Sequence, residues 1–166
     1  MNADRSPADF LYADFAAEHD ATRRMLDRFP DGKGDWRPHE KSRTLSQLAT
    51  HVASILGTGT LLLQSDDADV TKRAPQAPLD SRAALLAHFE SVEKGFTGAL
   101  AAATYDRLDG TWTMRRGDQV LITGPRRMLL RRLTMNHLVH HRAQLGVYYR
   151  LLGVPLPGVY GPSADE

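Results

Sequence analysis

His137 and His141 stand four residues apart in the run Asn136-His137-Leu138-Val139-His140-His141-Arg142. Side chains at i and i+4 share one face of a helix, with Cβ atoms roughly 5–6 Å apart. Two imidazoles so placed can converge on one metal ion at Zn–N distances of about 2.0–2.1 Å. They can equally be a hydrogen-bonded pair in a core, since buried imidazoles need polar partners. His140, next to His141, lies about 100° further round the helix and points elsewhere, so a His137–His140 pair is the weaker option.

A metal site needs a third ligand, and His51 is the candidate. It sits at the inner edge of the apolar stripe Leu45, Leu48, Val52, Ile55, Leu56 on a different helix. His19, also on an apolar stripe, is a candidate fourth ligand or a hydrogen-bond partner to a ligand, and Glu18 beside it could orient a ligand imidazole. His39 in a polar loop and His88 off the centre of its stripe read as ordinary residues. Three neutral imidazoles leave a divalent ion with open positions for water or substrate, the pattern of a catalytic site. Imidazole suits zinc, nickel, iron and copper alike, so ligand type does not choose the metal.

Four long helical patterns must position these residues. The first opens at Ser6-Pro7-Ala8-Asp9, with Ser6 as cap and Pro7 at the first helical position. It carries the stripe Phe15, His19, Thr22, Leu26, Phe29 and ends at Pro30-Asp31-Gly32. The second begins at Thr44, with Gln47 as capping-box partner. Thr44 to Ser65 lacks any charged residue and is long enough to span a bilayer. Ten of its 22 positions are Ser, Thr, Gln or His, so it reads as a buried amphipathic helix. Residues 65–79 are polar and proline-broken, hence a connection. The third helix, capped by Asp80, runs Leu85, Phe89, Val92, Phe96, Leu100, Ala103. Thr111–Met114 and Val120–Thr123 flank Arg115-Arg116-Gly117-Asp118, a short hairpin-like arm. The fourth helix opens at Gly124-Pro125 and closes near Leu152 with Gly153 past its end. Its inward line is Leu130, Thr134, His137, His141, Leu145, Tyr148, Leu152. Val154, Leu156, Val159 and Tyr160 of the tail pack along the helices. The expectation is an all-α chain: a four-helix bundle, one domain over 1–166, with a long crossover after helix 2 and the arm before helix 4.

Composition narrows the function. A formal net charge of +1 on 166 residues gives no electrostatic case for nucleic acid or a membrane surface. No cysteine is present, which removes disulfides, thiolate metal ligands and a cysteine nucleophile. The N-terminus lacks a signal-peptide pattern, so the expected location is the cytoplasm.

Taken in order, Glu18-His19-Asp20-x-Thr22, Trp36-Arg37-Pro38-His39-Glu40-Lys41-Ser42, Leu48-Ala49-Thr50-His51-Val52-Ala53, Asn136-His137-x-x-x-His141-Arg142-x-Gln144 and the ending Gly153-Val154-Pro155-x-Pro157-Gly158-x-Tyr160-Gly161-Pro162-Ser163-Ala164-Asp165-Glu166 resemble the DinB-like (DinB/YfiT) superfamily. The resemblance covers nearly the whole chain. It implies a four-helix bundle with a crossover after the second helix, often as a homodimer. It also implies a divalent metal, commonly zinc or nickel, held by His51, His137 and His141. Characterised members include thiol S-transferases and a thiol-dependent isomerase that use low-molecular-weight thiols such as bacillithiol or mycothiol. The expected function is therefore a metal-dependent thiol S-transferase acting on a small electrophile. The alternatives are a metal-dependent hydrolase, a stress-associated metal- or ligand-binding protein without turnover, and a structural bundle with core histidines. Arg142 reads as a solvent-facing salt-bridge residue or as a holder of an anionic substrate group. Trp36 and Tyr148 read as core residues or pocket walls, and Gln144 as a donor beside a ligand.

Overall fold

The computed structural model describes residues 7–166, the side chains of Pro7, Ala8, Asp9, Phe10 and Tyr12 apart. The cap expected at Ser6 lies outside the described residues. The first helix, α1, spans Pro7–Leu26, with Phe15, Thr22 and Leu26 buried. It stops three residues before the apolar stripe does: Asp27 and Arg28 turn the chain, and Phe29 is buried beyond the helix end.

The loop that follows is fastened to the next helix by its own backbone. Leu45 N–H donates to Trp36 O (2.8 Å) and Ser46 N–H to Gly34 O (3.0 Å). A Cβ at Gly34 would fall 1.6 Å from the Asp80 carboxylate, so only glycine lets the Ser46–Asp80 hydrogen bond (2.8 Å) form there. Helix α2, Leu45–Ser54, starts in the capping box expected from its sequence. Thr44 Oγ1 accepts from Gln47 N–H, and Gln47 Oε1 accepts from Thr44 N–H. Leu45, Leu48, Val52, Ile55 and Leu56 are all buried. The single helix expected over 44–65 is divided at Ile55, where Thr58 N–H bonds back only three residues to Ile55 O. Helix α3, Leu56–Gln64, follows. Among the described residues no helix is long and apolar enough to cross a membrane.

An all-α chain is a correction the structure makes. The fold is mostly helical, with a three-stranded sheet in the order β1-β2-β3. Residues 67–69, expected to be connection, form β1 (Asp67–Asp69) and pair in parallel with β2 (Thr111–Arg116). The arm is a true hairpin: β2 pairs antiparallel with β3 (Gln119–Pro125) across a turn in which Gly117 takes φ +57°. Arg126, buried at its foot, donates to the carbonyls of Leu62, Arg107 and Ser65 and pairs with Asp66.

Helix α4 (Arg82–Ala101) buries Leu85, Phe89, Phe96 and Leu100 as its stripe requires. Its cap is Ser81, whose hydroxyl accepts from Ala84 N–H. Asp80, the cap expected from sequence, is taken by Ser46 instead. A one-turn helix, α5 (Tyr105–Asp109), leads into the hairpin. After β3 the last rod runs as α6 (Arg126–Leu130), a widened π turn (Arg131–Met135) and α7 (Asn136–Leu151). Gly153, at φ +70°, ends it as expected. Helices α2 and α4, and α2 and α7, lie side by side, and α1 packs on both α4 and α7. The tail packs back through Val154, Leu156 and Val159.

Candidate metal centre

Packing aims the three histidines at one point. Helix α2 buries Leu45, Leu48 and Val52, so His51, three residues past Leu48, is left at the edge that faces α7. Helix α7 buries Leu138, Leu145 and Tyr149, which turns His137 and His141 toward α2. One ring nitrogen from each of His51, His137 and His141 lies within 4.8 Å of the other two. Their ring centroids form a triangle with sides of 4.9, 4.5 and 4.7 Å. All three are half-buried.

The protonation pattern suits a cation. His137 Nδ1 faces Leu133 O at 3.3 Å, a carbonyl of the π turn, and His141 Nδ1 faces Gln144 Oε1 at 2.7 Å. Both oxygens are acceptors, so each Nδ1 carries the hydrogen and each Nε2 keeps its lone pair. Widened turns of this kind occur often beside functional sites. His51 Nε2 and His137 Nε2 are 3.2 Å apart. Nitrogens held at about 2.0–2.1 Å from one tetrahedral ion lie about 3.3–3.4 Å from each other. Burial holds all three imidazoles neutral. His51 is lowered from 6.5 to about 3, by desolvation first, then by the positive charge of Arg43 and by the repulsion that His141 and His137 would exert if protonated. His137 and His141 are lowered for the same leading reason, partly offset by their Nδ1 hydrogen bonds. Neutral imidazoles with converging lone pairs are the donor set that a divalent cation requires, and the residues present fit one.

Two clefts open on the cluster. One, of about 470 Å³, is walled by Arg43, Gln47, Thr50, His51 and Ser54. The other, of about 380 Å³, is walled by Arg43, Leu48, His141, Gln144, Val147 and Tyr148. A larger cleft of about 560 Å³ lies away from the cluster, along α1 and the start of α7, and His140 lines it. His140 therefore points elsewhere, as its position on the helix requires.

The remaining candidates are accounted for. His19 stacks on Phe89 with ring centroids 4.9 Å apart and lies 3.6 Å from Glu93, outside the cluster. Glu18 orients no imidazole; it pairs with Arg142 at 2.6 Å and accepts from Tyr160 Oη. Arg142 is 2% exposed, so neither a solvent-facing role nor a substrate-holding one describes it. Gln144 does touch a candidate ligand, as acceptor rather than donor. His39 accepts from Lys41 N–H in its loop, and His88 Nε2 lies 2.8 Å from Ser54 Oγ. Tyr148 walls the second cleft, donates to Arg43 O (3.1 Å) and meets Trp36 edge-on at 5.6 Å. Sequence reasoning missed Arg43. The signal was there: residues 47, 50, 51 and 54 repeat at helical spacing along one side of α2, and Arg43 sits just before the Thr44 cap, beside the same cleft.

Histidines from two packed helices, converging beneath open clefts, define a class of helical proteins with a candidate metal centre. Residues 2–166 match the model of the DinB family, and the chain belongs to that family. It is 27% identical over 161 residues to the uncharacterized protein YrdA of Bacillus subtilis (strain 168), covering 95% of this chain and 90% of that one. A DinB-like protein from Bacillus cereus ATCC 10987 superimposes with TM-score 0.67 at 26% identity, over 91% of this chain and 95% of the other. The DinB-like protein YjoA of Bacillus subtilis shares the fold, with TM-score 0.69 at 20% identity over 89% and 95% of the two chains.

Proposed function

We propose that His51, His137 and His141 hold one divalent metal ion, zinc or nickel, at the centre of a four-helix bundle. We propose further that the protein is a metal-dependent thiol S-transferase acting on a small electrophile. The observation that carries the reading is the convergence of three neutral imidazoles, two with Nδ1 already committed to an oxygen. When bound, the metal supplies Lewis acidity that favours the thiolate form of a thiol brought to it. The net reaction joins the thiol sulfur to an electrophilic carbon, and the leaving group departs with its bonding electrons and is matched by the thiol proton. This chain has no cysteine, so the sulfur comes from a cosubstrate.

The chain's own residues prepare the site. Leu133 O and Gln144 Oε1 fix ring orientation, and the apolar packing of α2 and α7 holds the rings in place without metal. Among the described residues no fourth His, Asp or Glu joins the cluster. That leaves room for reactants and favours turnover over storage. The same reading carries a cytoplasmic homodimer without nucleic-acid partners, which sedimentation and DNA titration at low salt test.

The deciding experiment is elemental analysis of tag-free protein beside His137→Ala, before and after incubation with zinc or nickel. About one metal per chain in the parent and little in the variant is expected. A parent that takes up no metal overturns the proposal and returns the histidines to the status of core residues.

A further inference from the structure

The walls of the two clefts have a charge imbalance that the metal reading does not use. Arg43 lines both clefts, and its positive charge acts on all three histidines. Its side chain is exposed, and none of the ion pairs among the described residues engages it. Its backbone is fixed from both sides, by Tyr148 Oη on its carbonyl and by the capping box that begins at Thr44. The backbone is thus held at the mouth of both clefts, and the exposed guanidinium, with no carboxylate on it, is placed to meet an anion that enters either one.

The first cleft contains further hydrogen-bond donors and no acid. Gln47 gives its Oε1 to Thr44 N–H, which leaves its amide NH₂ to donate toward the cleft. Thr50 Oγ1 accepts from Leu79 N–H at 2.7 Å, so its hydroxyl hydrogen is available. Gln47 and Thr50 follow one another at helical spacing on α2 and end beside His51, and Arg43, just before the Thr44 cap, lines the same cleft. The second cleft differs: Leu48, Val147 and Tyr148 give it an apolar wall.

From this arrangement, and resting on the function proposed above, we infer that the thiol cosubstrate carries a carboxylate. Arg43 binds that group, with Gln47 and Thr50 beside it, while the apolar cleft takes the electrophile. A guanidinium grips a carboxylate through two parallel N–H···O bonds, which sets orientation as well as affinity. Arg43 is thus a specificity residue, the one that selects an anionic thiol and points its sulfur toward the histidines.

The test loads the protein with cobalt(II) and titrates it with mercaptopropionate, mercaptoethanol and propionate, following the sulfur-to-cobalt absorption and the cobalt d–d bands. The parent is expected to bind mercaptopropionate about tenfold or more tighter than mercaptoethanol, the scale of a hydrogen bond to a charged group. Arg43→Gln is expected to erase that preference while taking up cobalt as the parent does. Arg43→Lys is expected to restore part of it, since a point charge lacks the two-pronged grip. An equal preference in the parent and Arg43→Gln overturns the inference, as does propionate that perturbs the cobalt bands equally in both. A second arm follows the Arg43 side-chain N–H resonance of the metal-free protein. It is expected to shift on adding mercaptopropionate and not mercaptoethanol. A parent that takes up no cobalt sinks the metal reading alone, and this resonance then decides for or against Arg43.

Discussion

Two polar clusters grow from neighbouring residues of α7, His141 and Arg142, and they are opposite in kind. Arg142 is 2% exposed, and its guanidinium is fully answered. It pairs with the Glu18 carboxylate at 2.6 Å and donates to Glu18 O, Thr22 Oγ1 and Tyr160 Oη. Positive meets negative, and three segments of chain are tied together. His141 belongs to a half-buried cluster of three imidazoles beside an arginine, with clefts opening on it and no acid among the residues that wall them. A closed, charge-matched cluster explains itself as structure. An open one with an unanswered charge pattern has room for the proposed ligands, a cation among the imidazoles and an anion at Arg43.

The comparison breaks first at Arg142. Replacing it by Met leaves the Glu18 carboxylate without its cation in a largely buried place, and the loss of one partner of a buried pair costs about 3–5 kcal/mol. Urea unfolding of the metal-free Arg142→Met protein should show a loss of that size. The double variant Arg142→Met/Glu18→Leu should recover much of it, because no charge is then stranded. A loss below about 1 kcal/mol for Arg142→Met means that the cluster is not the matched, closed one described here.

How far each cluster was legible in the sequence follows from the range of its interactions. The capping box of Thr44 and Gln47, the α4 stripe from Leu85 to Leu100 and the Gly153 end all depend on residues within four positions of each other, and the structure has them as read, though Ala103, the last of the stripe, lies past the helix end. The spacing of His137 and His141 is local too, and the stripe around His51 was enough to aim it inward. What failed was decided by distant partners. Glu18 lies 124 residues before Arg142, whose guanidinium claims it. Asp80 yields the cap role to Ser81, its carboxylate being engaged by Ser46, 34 residues away. Strand β1 exists because β2, more than forty residues on, offers it an edge, and three residues of Asp-Ala-Asp have no strand pattern of their own. Arg43 was overlooked because a residue just before a helix cap reads as loop until the helix face beyond it is drawn.

A smaller effect sharpens the open side of the comparison. Gln144 is exposed, so Gln144→Ala should leave the unfolding midpoint of the metal-free protein within about 0.5 kcal/mol of the parent. Among the described residues its side-chain hydrogen bond is that of Oε1 with His141 Nδ1. Removing the oxygen that fixes a ligand imidazole typically weakens metal binding about 10–100-fold. Competition with a chromophoric chelator measures this directly. An unchanged affinity would mean that His141 needs no orientation, or is not a ligand. The contrast with Arg142 is the point: one variant changes folding and spares affinity, the other does the reverse.

The smallest effect comes from protons and has a definite sign. His51 is lowered from 6.5 to about 3 in the folded protein by burial, by the charge of Arg43 and by repulsion from His141 and His137 when they take up protons. Between those two values the unfolded chain binds more protons than the folded one, so the metal-free protein loses stability as pH falls below about 6.5 and goes on losing it toward pH 3. One fully buried imidazole would contribute about 1.4 kcal/mol per pH unit at most, and a half-buried one contributes a fraction of that. Thermal melts of metal-free parent and His51→Gln at pH 7 and pH 5 isolate the contribution. The parent should lose more on acidification than the variant, which has no proton to gain at that position. Equal losses would show that His51 is as ready to be protonated when folded as when unfolded. The three rings would then be an ordinary solvated patch rather than a cluster held neutral for a cation.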